Sequence, residues 1–267
     1  MPELPEVETV VRTLSPFILG QNLQEIKVYW PRIVQGRLGK AWQNQKVRSF
    51  KRRAKFMLLE FDEGYVSIHL RMTGQLIPRE TLPSGKPPHV HAMFVFSGQV
   101  VLFQDVRKFG RLRWISRADF ASWDKSLGQE PLEKTFTADW LYSSGQKRRR
   151  ILKSALLDQT WIAGLGNIYV DEALFVAQLH PARRAVDLTR QETIRLHKAI
   201  QKVLRKATAA NGTSFMDFKF LGGQKGGYTE ELLVFRKTGL PCPRCGSPIQ
   251  RLVLAGRSTH LCTVCQK

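Results

Sequence analysis

The chain opens Met1-Pro2-Glu3-Leu4-Pro5-Glu6, a stretch whose residue types could do covalent chemistry. A small residue at position 2 permits removal of the initiator methionine, which leaves Pro2 as a free secondary amine. An α-amino group titrates at about 7.7–8.0 and a lysine side chain at about 10.4, so at pH 7 roughly one such amine in ten is unprotonated. An N-terminal proline is therefore a nucleophile that needs no special pocket. Its attack on a sugar C1′ gives an iminium ion, which draws electrons and makes β-elimination of phosphate feasible. Glu3 and Glu6 could supply acid and base for ring opening and proton transfer. The same Pro-Glu-x-Pro-Glu pattern also stiffens and caps a first helix, and spacing alone favours that second reading.

The other chemistry-bearing set is cysteine. All four cysteines lie in the last 26 residues, as Cys242-x2-Cys245, sixteen intervening residues, then Cys262-x2-Cys265. Two such knuckles match a four-thiolate zinc ribbon, each offering two sulfurs to one tetrahedral Zn²⁺. Four thiolates close the coordination shell, so one structural zinc is expected, not a catalytic one. A pair of disulfides is the alternative; the lack of an export signal weighs against it, because the cytosol is reducing.

Charge points to the partner. The chain has 267 residues, and 42 Lys+Arg against 22 Asp+Glu give a net +20. An apolar content of 43% excludes a disordered basic tail. No apolar run approaches a membrane span, and an acidic first decapeptide fits neither a secretory nor a transit signal. The expectation is a folded intracellular protein whose field attracts polyanions, with DNA, RNA and anionic lipid equally served by charge alone. Two clusters concentrate that charge: Lys46 to Lys55 holds six bases in ten residues, and Lys147 to Lys153 five in seven. Neither has an acidic neighbour in sequence. One in each half of the chain suggests a nucleic acid held in a cleft between two domains.

The elements that must position these groups follow from periodicity. Val7, Val10, Val11, Leu14 and Ile18 fall at helical spacing within 6–19. From about 23 to 115 come short β-type runs, IKVYW, KFMLLEF, YVSIHLRM, HAMFVF, VVLFQ and RLRWI, separated by turn residues. So many strands in that length predict a sandwich or barrel with the first helix packed on it. Residues 128–137 read as a passage to a second domain. Helices are predicted at 138–143, 147–158, 167–178 and 190–209, the last opening with the capping box Thr189-x-x-Glu192. Residues 211–228, containing GGQKGG at 222–227, read as a mobile loop before the zinc ribbon.

Taken in order along the chain, PELPEVETV at the amino terminus, RRAKFMLLEF at 52–61, HLRMTG at 69–74, DVRKFG at 105–110, AGLGNIYVDEALF at 163–175 and the terminal zinc ribbon resemble the bacterial formamidopyrimidine-DNA glycosylases. The likeness runs nearly the whole length. It implies an α+β fold: an amino-terminal β-sandwich with flanking helices (1–130), a helical domain with a helix-two-turns-helix (131–237), and a zinc β-hairpin (238–267). It also implies a DNA glycosylase and AP lyase for oxidised purines, monomeric, cytoplasmic and acting on damaged duplex DNA.

By position, Pro2 corresponds to the nucleophile, Glu3 to the acid/base that opens the deoxyribose, and Glu6 to a supporting carboxylate. Lys55 matches the lysine near the lesion phosphate. Asn167 and Arg257 match the family's other phosphate contacts, Arg257 also standing among the catalytic groups. Met72, Arg107 and Phe109 resemble the wedge that fills the duplex when a nucleotide flips out, with Arg107 reading the orphaned cytosine. Without the family, Met72 would end a β run as core and DVRKFG would be a plain turn. His69 and His91 fit family histidine positions and are expected as buried or phosphate-adjacent, with His91 counted among the DNA-binding residues. The loop at 222–227 departs from the pattern, with Gly226 where many relatives carry proline, which places lesion selectivity in question. Two rivals remain at this point: an endonuclease VIII-like enzyme for oxidised pyrimidines, disfavoured by Leu4 and by the Arg107–Phe109 wedge, and a non-catalytic zinc-ribbon DNA-binding protein.

Overall fold

A computed structural model describes residues 1–213 and 226–267. The loop expected at 222–227 lies largely outside them. The chain divides into two units, one of residues 1–126 with the described parts of 211–227, the other of 127–210 and 228–267.

The first unit begins with α1 (Leu4–Ile18), entered through Pro5, whose missing N–H costs nothing in the first turn. Strands β1 (Asn22–Val28), β2 (Gln45–Lys46), β3 (Ser49–Arg53), β4 (Phe56–Phe61), β5 (Gly64–His69), β6 (Gly74–Arg79), β7 (Val90–Phe96), β8 (Val100–Asp105) and β9 (Arg111–Ser116) follow, then α2 (Arg117–Lys125). They form a five-stranded sheet, β2-β1-β7-β8-β6, and a four-stranded sheet, β3-β4-β5-β9. Every pairing is antiparallel.

Side-chain alternation makes the sandwich. Met57, Leu59, Phe61, Val66 and Ile68 of one sheet share a core with Leu23, Phe94, Val101 and Phe103 of the other. The helical stripe Val7, Val10, Val11, Leu14 and Ile18 enters the same core. The opposite face of the smaller sheet, with Leu58, Tyr65 and Ile115, is covered by Phe120 and Trp123 of α2.

The second unit holds α3 (Ala138–Gly145), α4 (Leu152–Leu157), α5 (Asn167–Ala177), α6 (Arg190–Ala209) and a hairpin of β10 (Gln250–Leu254) and β11 (Arg257–Leu261). The capping box of α6 forms as its sequence predicts, with Thr189 Oγ1 accepting the Glu192 N–H at 3.2 Å and Glu192 Oε2 accepting the Thr189 N–H at 2.8 Å.

Two local expectations need correction. The helix predicted at 147–158 starts only at Leu152, because the Leu152 and Lys153 N–H groups donate to Arg183 O and Pro181 O at 2.6 and 3.0 Å. These bonds occupy donors at the helix's first turn and leave 147–151 outside it. The run YVSIHLRM stops being a strand at His69, so Met72 sits in a turn. Strand β6 and helix α2 have no clear signal in the sequence pattern: β6 carries Pro78, tolerated because the strand lies at a sheet edge, and α2 buries none of its residues fully. No helix among the described residues is long and apolar enough to cross a membrane.

Candidate functional site

At the amino terminus, Pro2 is buried while Met1 is 50% exposed. Glu3 and Glu6 are each only 2% exposed. Glu6 Oε2 accepts the Glu3 N–H at 2.8 Å, the capping arrangement the Pro-Glu spacing suggests. Its other oxygen, Oε1, accepts the N–H and the hydroxyl of Thr213 at 2.8 and 3.0 Å. Gly212 beside it has φ +75°, and a Cβ there would stand 2.6 Å from Glu6 Oε1. The carboxylate is thus fixed on both sides, one anchor in its own helix and one from a segment distant in sequence. Nothing in the sequence signals Thr213 or Gly212. At the described base of the loop, Thr213 bridges Gly227, and a Cβ on Gly226 would collide with Gly212 O at 2.3 Å.

Lys55 lies in the two-residue turn between β3 and β4, after Ala54 at φ +55°, and is buried. His69 is close enough to feel its charge. Burial first, then the positive charges of Arg71 and Lys55, pull the His69 pKa down to about 3, so the ring is neutral. Its Nδ1 accepts the Arg71 N–H at 2.9 Å, and its ring packs T-shaped against Phe56 with centres 4.6 Å apart.

The structure brings Met72, Arg107 and Phe109 together. The Arg107 guanidinium lies 4.9 Å from the Phe109 ring centre, and its Nη1 meets Met72 Sδ at 3.4 Å. Met72 is 37% and Phe109 44% exposed, a cost in apolar surface that a folded chain does not need for stability. The buried Asp105 organises this projection. It accepts the Arg107 N–H at 3.2 Å and the Gly110 N–H at 2.7 Å, and takes the Thr73 hydroxyl as well. A Cβ at Gly110 would stand 2.4 Å from the Phe103 ring, so a larger residue there would force that buried ring to shift. His91 is also buried: its Nε2–H donates to Asp105 O at 2.7 Å, while Nδ1 finds no partner among the described residues. It therefore stands beneath the projecting turn, as a core histidine.

In the second unit, two turns join α4 to α5. Asp158 Oδ1 accepts the Thr160 N–H at 3.0 Å and folds the first; Gln159 spans the second, accepting the Gly164 N–H at 3.0 Å and donating to Leu165 O at 2.8 Å. The outcome is a helix, α5, that starts at Asn167, where the positive end of the helix dipole favours an anion. Asn167 Nδ2 donates to Ser258 O of β11 at 2.9 Å. Arg257 is exposed at the hairpin tip, just after Ala255-Gly256, both at positive φ.

The four cysteine sulfurs lie within 4.8 Å of one another. Sγ of Cys242 is 3.9 Å from that of Cys265, and Sγ of Cys245 is 3.5 Å from that of Cys262. A disulfide needs about 2.05 Å, whereas four thiolates about 2.3 Å from a tetrahedral Zn²⁺ stand about 3.8 Å apart. The donor set fits one structural zinc held by Cys242, Cys245, Cys262 and Cys265.

The basic clusters are less bare than their sequence implies. Arg48 pairs with Asp62, Lys51 with Glu60, Arg52 with Glu8 and Arg53 with Asp124. Arg148 and Arg150 share Asp158, and Lys153 pairs with Asp171. The acidic counterweights exist, supplied by folding.

Comparison with known proteins agrees with this geometry. Residues 1–112 match the formamidopyrimidine-DNA glycosylase N-terminal domain, 127–219 the H2TH domain of the same enzymes, and 239–267 the zinc finger found in FPG and IleRS. The formamidopyrimidine-DNA glycosylase of Desulforamulus reducens is 42% identical, covering 100% of this chain and 99% of its own. A Lactococcus lactis FPG mutant in complex with Fapy-dG-containing DNA superposes with TM-score 0.92 at 37% identity, covering 100% of each chain. The MutM (FPG) protein of Thermus thermophilus gives 0.90 at 38%, covering 99% of this chain and 98% of that one. With three successive domains matched and full-length relatives of this similarity, the chain belongs to the formamidopyrimidine-DNA glycosylase family.

Proposed function

We propose that the chain is a bifunctional DNA glycosylase and AP lyase that removes 8-oxoguanine and formamidopyrimidines from duplex DNA and cuts the strand at the abasic site. The observation that carries this reading is the amino terminus, where Pro2 is followed by two buried carboxylates, one of them anchored from both sides. The half-exposed Met1 is accessible for removal, which frees the Pro2 nitrogen.

The Pro2 lone pair attacks C1′ of the damaged nucleotide and the N-glycosidic bond breaks, its electrons leaving with the base, which takes up a proton as the Pro2 nitrogen gives up its own. Glu3 protonates the ring oxygen as the sugar opens, giving an iminium between Pro2 and C1′. Loss of a C2′ proton then expels the 3′-phosphate by β-elimination, and a second elimination releases the 5′-phosphate. Glu6 holds the Glu3 backbone in place throughout. Lys55, Asn167 and Arg257 hold backbone phosphates, while Met72, Arg107 and Phe109 fill the gap left by the flipped nucleotide. One zinc supports the hairpin that carries Arg257. The enzyme works as a cytoplasmic monomer on damaged DNA.

The test compares duplexes containing 8-oxoguanine, a formamidopyrimidine or an oxidised pyrimidine. Rapid nicking of the first two, with both phosphates left on the flanking ends, supports the reading. Preference for the pyrimidine, or binding without cleavage by protein lacking Met1, overturns it.

A further inference from the structure

Asp171 lies one helical turn beyond Asn167 on α5, and the two side chains grip β11 at alternate residues. Asn167 Nδ2 donates to Ser258 O at 2.9 Å, and Asp171 Oδ2 accepts the His260 N–H at 2.9 Å. Four residues of helix advance about 6 Å and two residues of strand about 6.6 Å, so helix face and strand edge match in pitch. Asp171 Oδ2 also accepts His260 Nδ1 at 3.1 Å, its Oδ1 takes Lys153 Nζ, and Lys153 Nζ reaches Ser258 O at 3.5 Å. Lys153 and Asp171 are at most 1% exposed.

We infer that Asp171, neutralised by Lys153, is a positioning residue for Arg257. This rests on the proposed role of Arg257 as a phosphate contact. Zinc fixes the hairpin at its base, where Cys262 follows β11, but the tip carrying Arg257 lies at the other end of the strand. The Asp171 and Asn167 bonds hold Ser258 and His260, next to and near that tip. The neighbouring Glu172 holds the chain that leads into the hairpin, accepting the N–H groups of Leu233, Val234 and Phe235 at 2.8, 2.9 and 2.9 Å. Two consecutive carboxylates of one helix therefore dock both segments. Lys153 is required because a buried carboxylate lacking its cation is strongly destabilising, whereas an apolar pair in its place is often tolerated.

The test measures binding to a duplex with a tetrahydrofuran abasic analogue as salt is varied. Asp171→Asn should weaken binding about tenfold and lower the log–log salt slope by about one, as displacement of a phosphate contact does. Combining it with Arg257→Ala should cost nothing further, because both changes remove the same contact. The paired change Lys153→Met with Asp171→Met removes charge and tether together; it should keep the melting temperature and the zinc, yet lose the same slope. If the Asn variant fails to fold, the paired Met variant decides. Losses that add in the double variant, or an unchanged slope in either tether variant, overturn the positioning role. An unchanged slope in Arg257→Ala alone would instead remove the phosphate role of Arg257 and the inference with it.

Discussion

Glu6 accepts two hydrogen bonds from Thr213, at 2.8 Å from its N–H and 3.0 Å from its hydroxyl, and so ties the start of α1 to a residue 207 positions later in the sequence. Thr213→Val deletes the hydroxyl bond, and a bond to a charged group contributes about 1.5–3 kcal/mol. Base excision should slow by roughly tenfold or more under single turnover, the rate equivalent of that energy. Gly212→Ala should be worse, since the new Cβ meets Glu6 Oε1 at 2.6 Å in a backbone region alanine avoids. Affinity for abasic-analogue DNA should stay near wild type in Thr213→Val; a loss there would mean Thr213 acts on binding.

Asp105 holds the turn that presents Arg107 and Phe109. Arg107→Ala should chiefly erode discrimination by the base opposite the lesion, by about 1–3 kcal/mol if it reads that base directly. Asp105→Asn should reproduce this loss and also weaken binding, because an amide nitrogen replaces an acceptor of the turn's N–H groups. Equal losses on every duplex for both variants would contradict the wedge assignment.

Burial first, then the neighbouring positive charges, lowers the His69 pKa from its ordinary 6.5 to about 3 in the fold. The unfolded chain binds the proton first, so the stability owed to the neutral ring is present above pH 6.5 and declines as pH falls toward 3. His69→Gln keeps an acceptor for the Arg71 N–H and cannot titrate. Its unfolding free energy should therefore depend less steeply on pH in that window, measured by denaturant titration.

Metal analysis should give about one Zn²⁺ per chain, the capacity of one four-cysteine site. Cys245→Ser should lower zinc content and DNA affinity while the near-ultraviolet signal of the sandwich aromatics persists. A zinc-free preparation with full DNA affinity would remove the structural role assigned to the metal.

Much of this arrangement is legible in sequence because it is local. The Val7–Ile18 stripe, the Thr189–Glu192 box and the cysteine knuckles each state their structure within a few residues. The proposed catalytic and wedge roles come from the resemblance to family motifs, not from spacing; read alone, Met72 looks like core. What escapes a sequence reading is long-range. Thr213, Asp105 and the Lys153–Asp171–His260 cluster gain their roles only when folding brings them to a partner. The same reason explains the basic clusters: Arg52 and Arg53 find Glu8 and Asp124 across 44 and 71 positions, a pairing no sequence window contains.

The most direct measurement is borohydride trapping on 8-oxoguanine duplex with protein shown by mass to lack Met1. Reduction of the iminium should join protein to DNA covalently, and peptide mapping should place the adduct on the Pro2 nitrogen. No lysine side chain offers a comparable fraction of free amine at neutral pH without a depressed pKa. Pro2→Gly should still trap, more slowly, and Glu3→Gln should bind DNA but lose most base excision. An adduct on Lys55, or no adduct from protein that cleaves the duplex, would contradict the N-terminal mechanism.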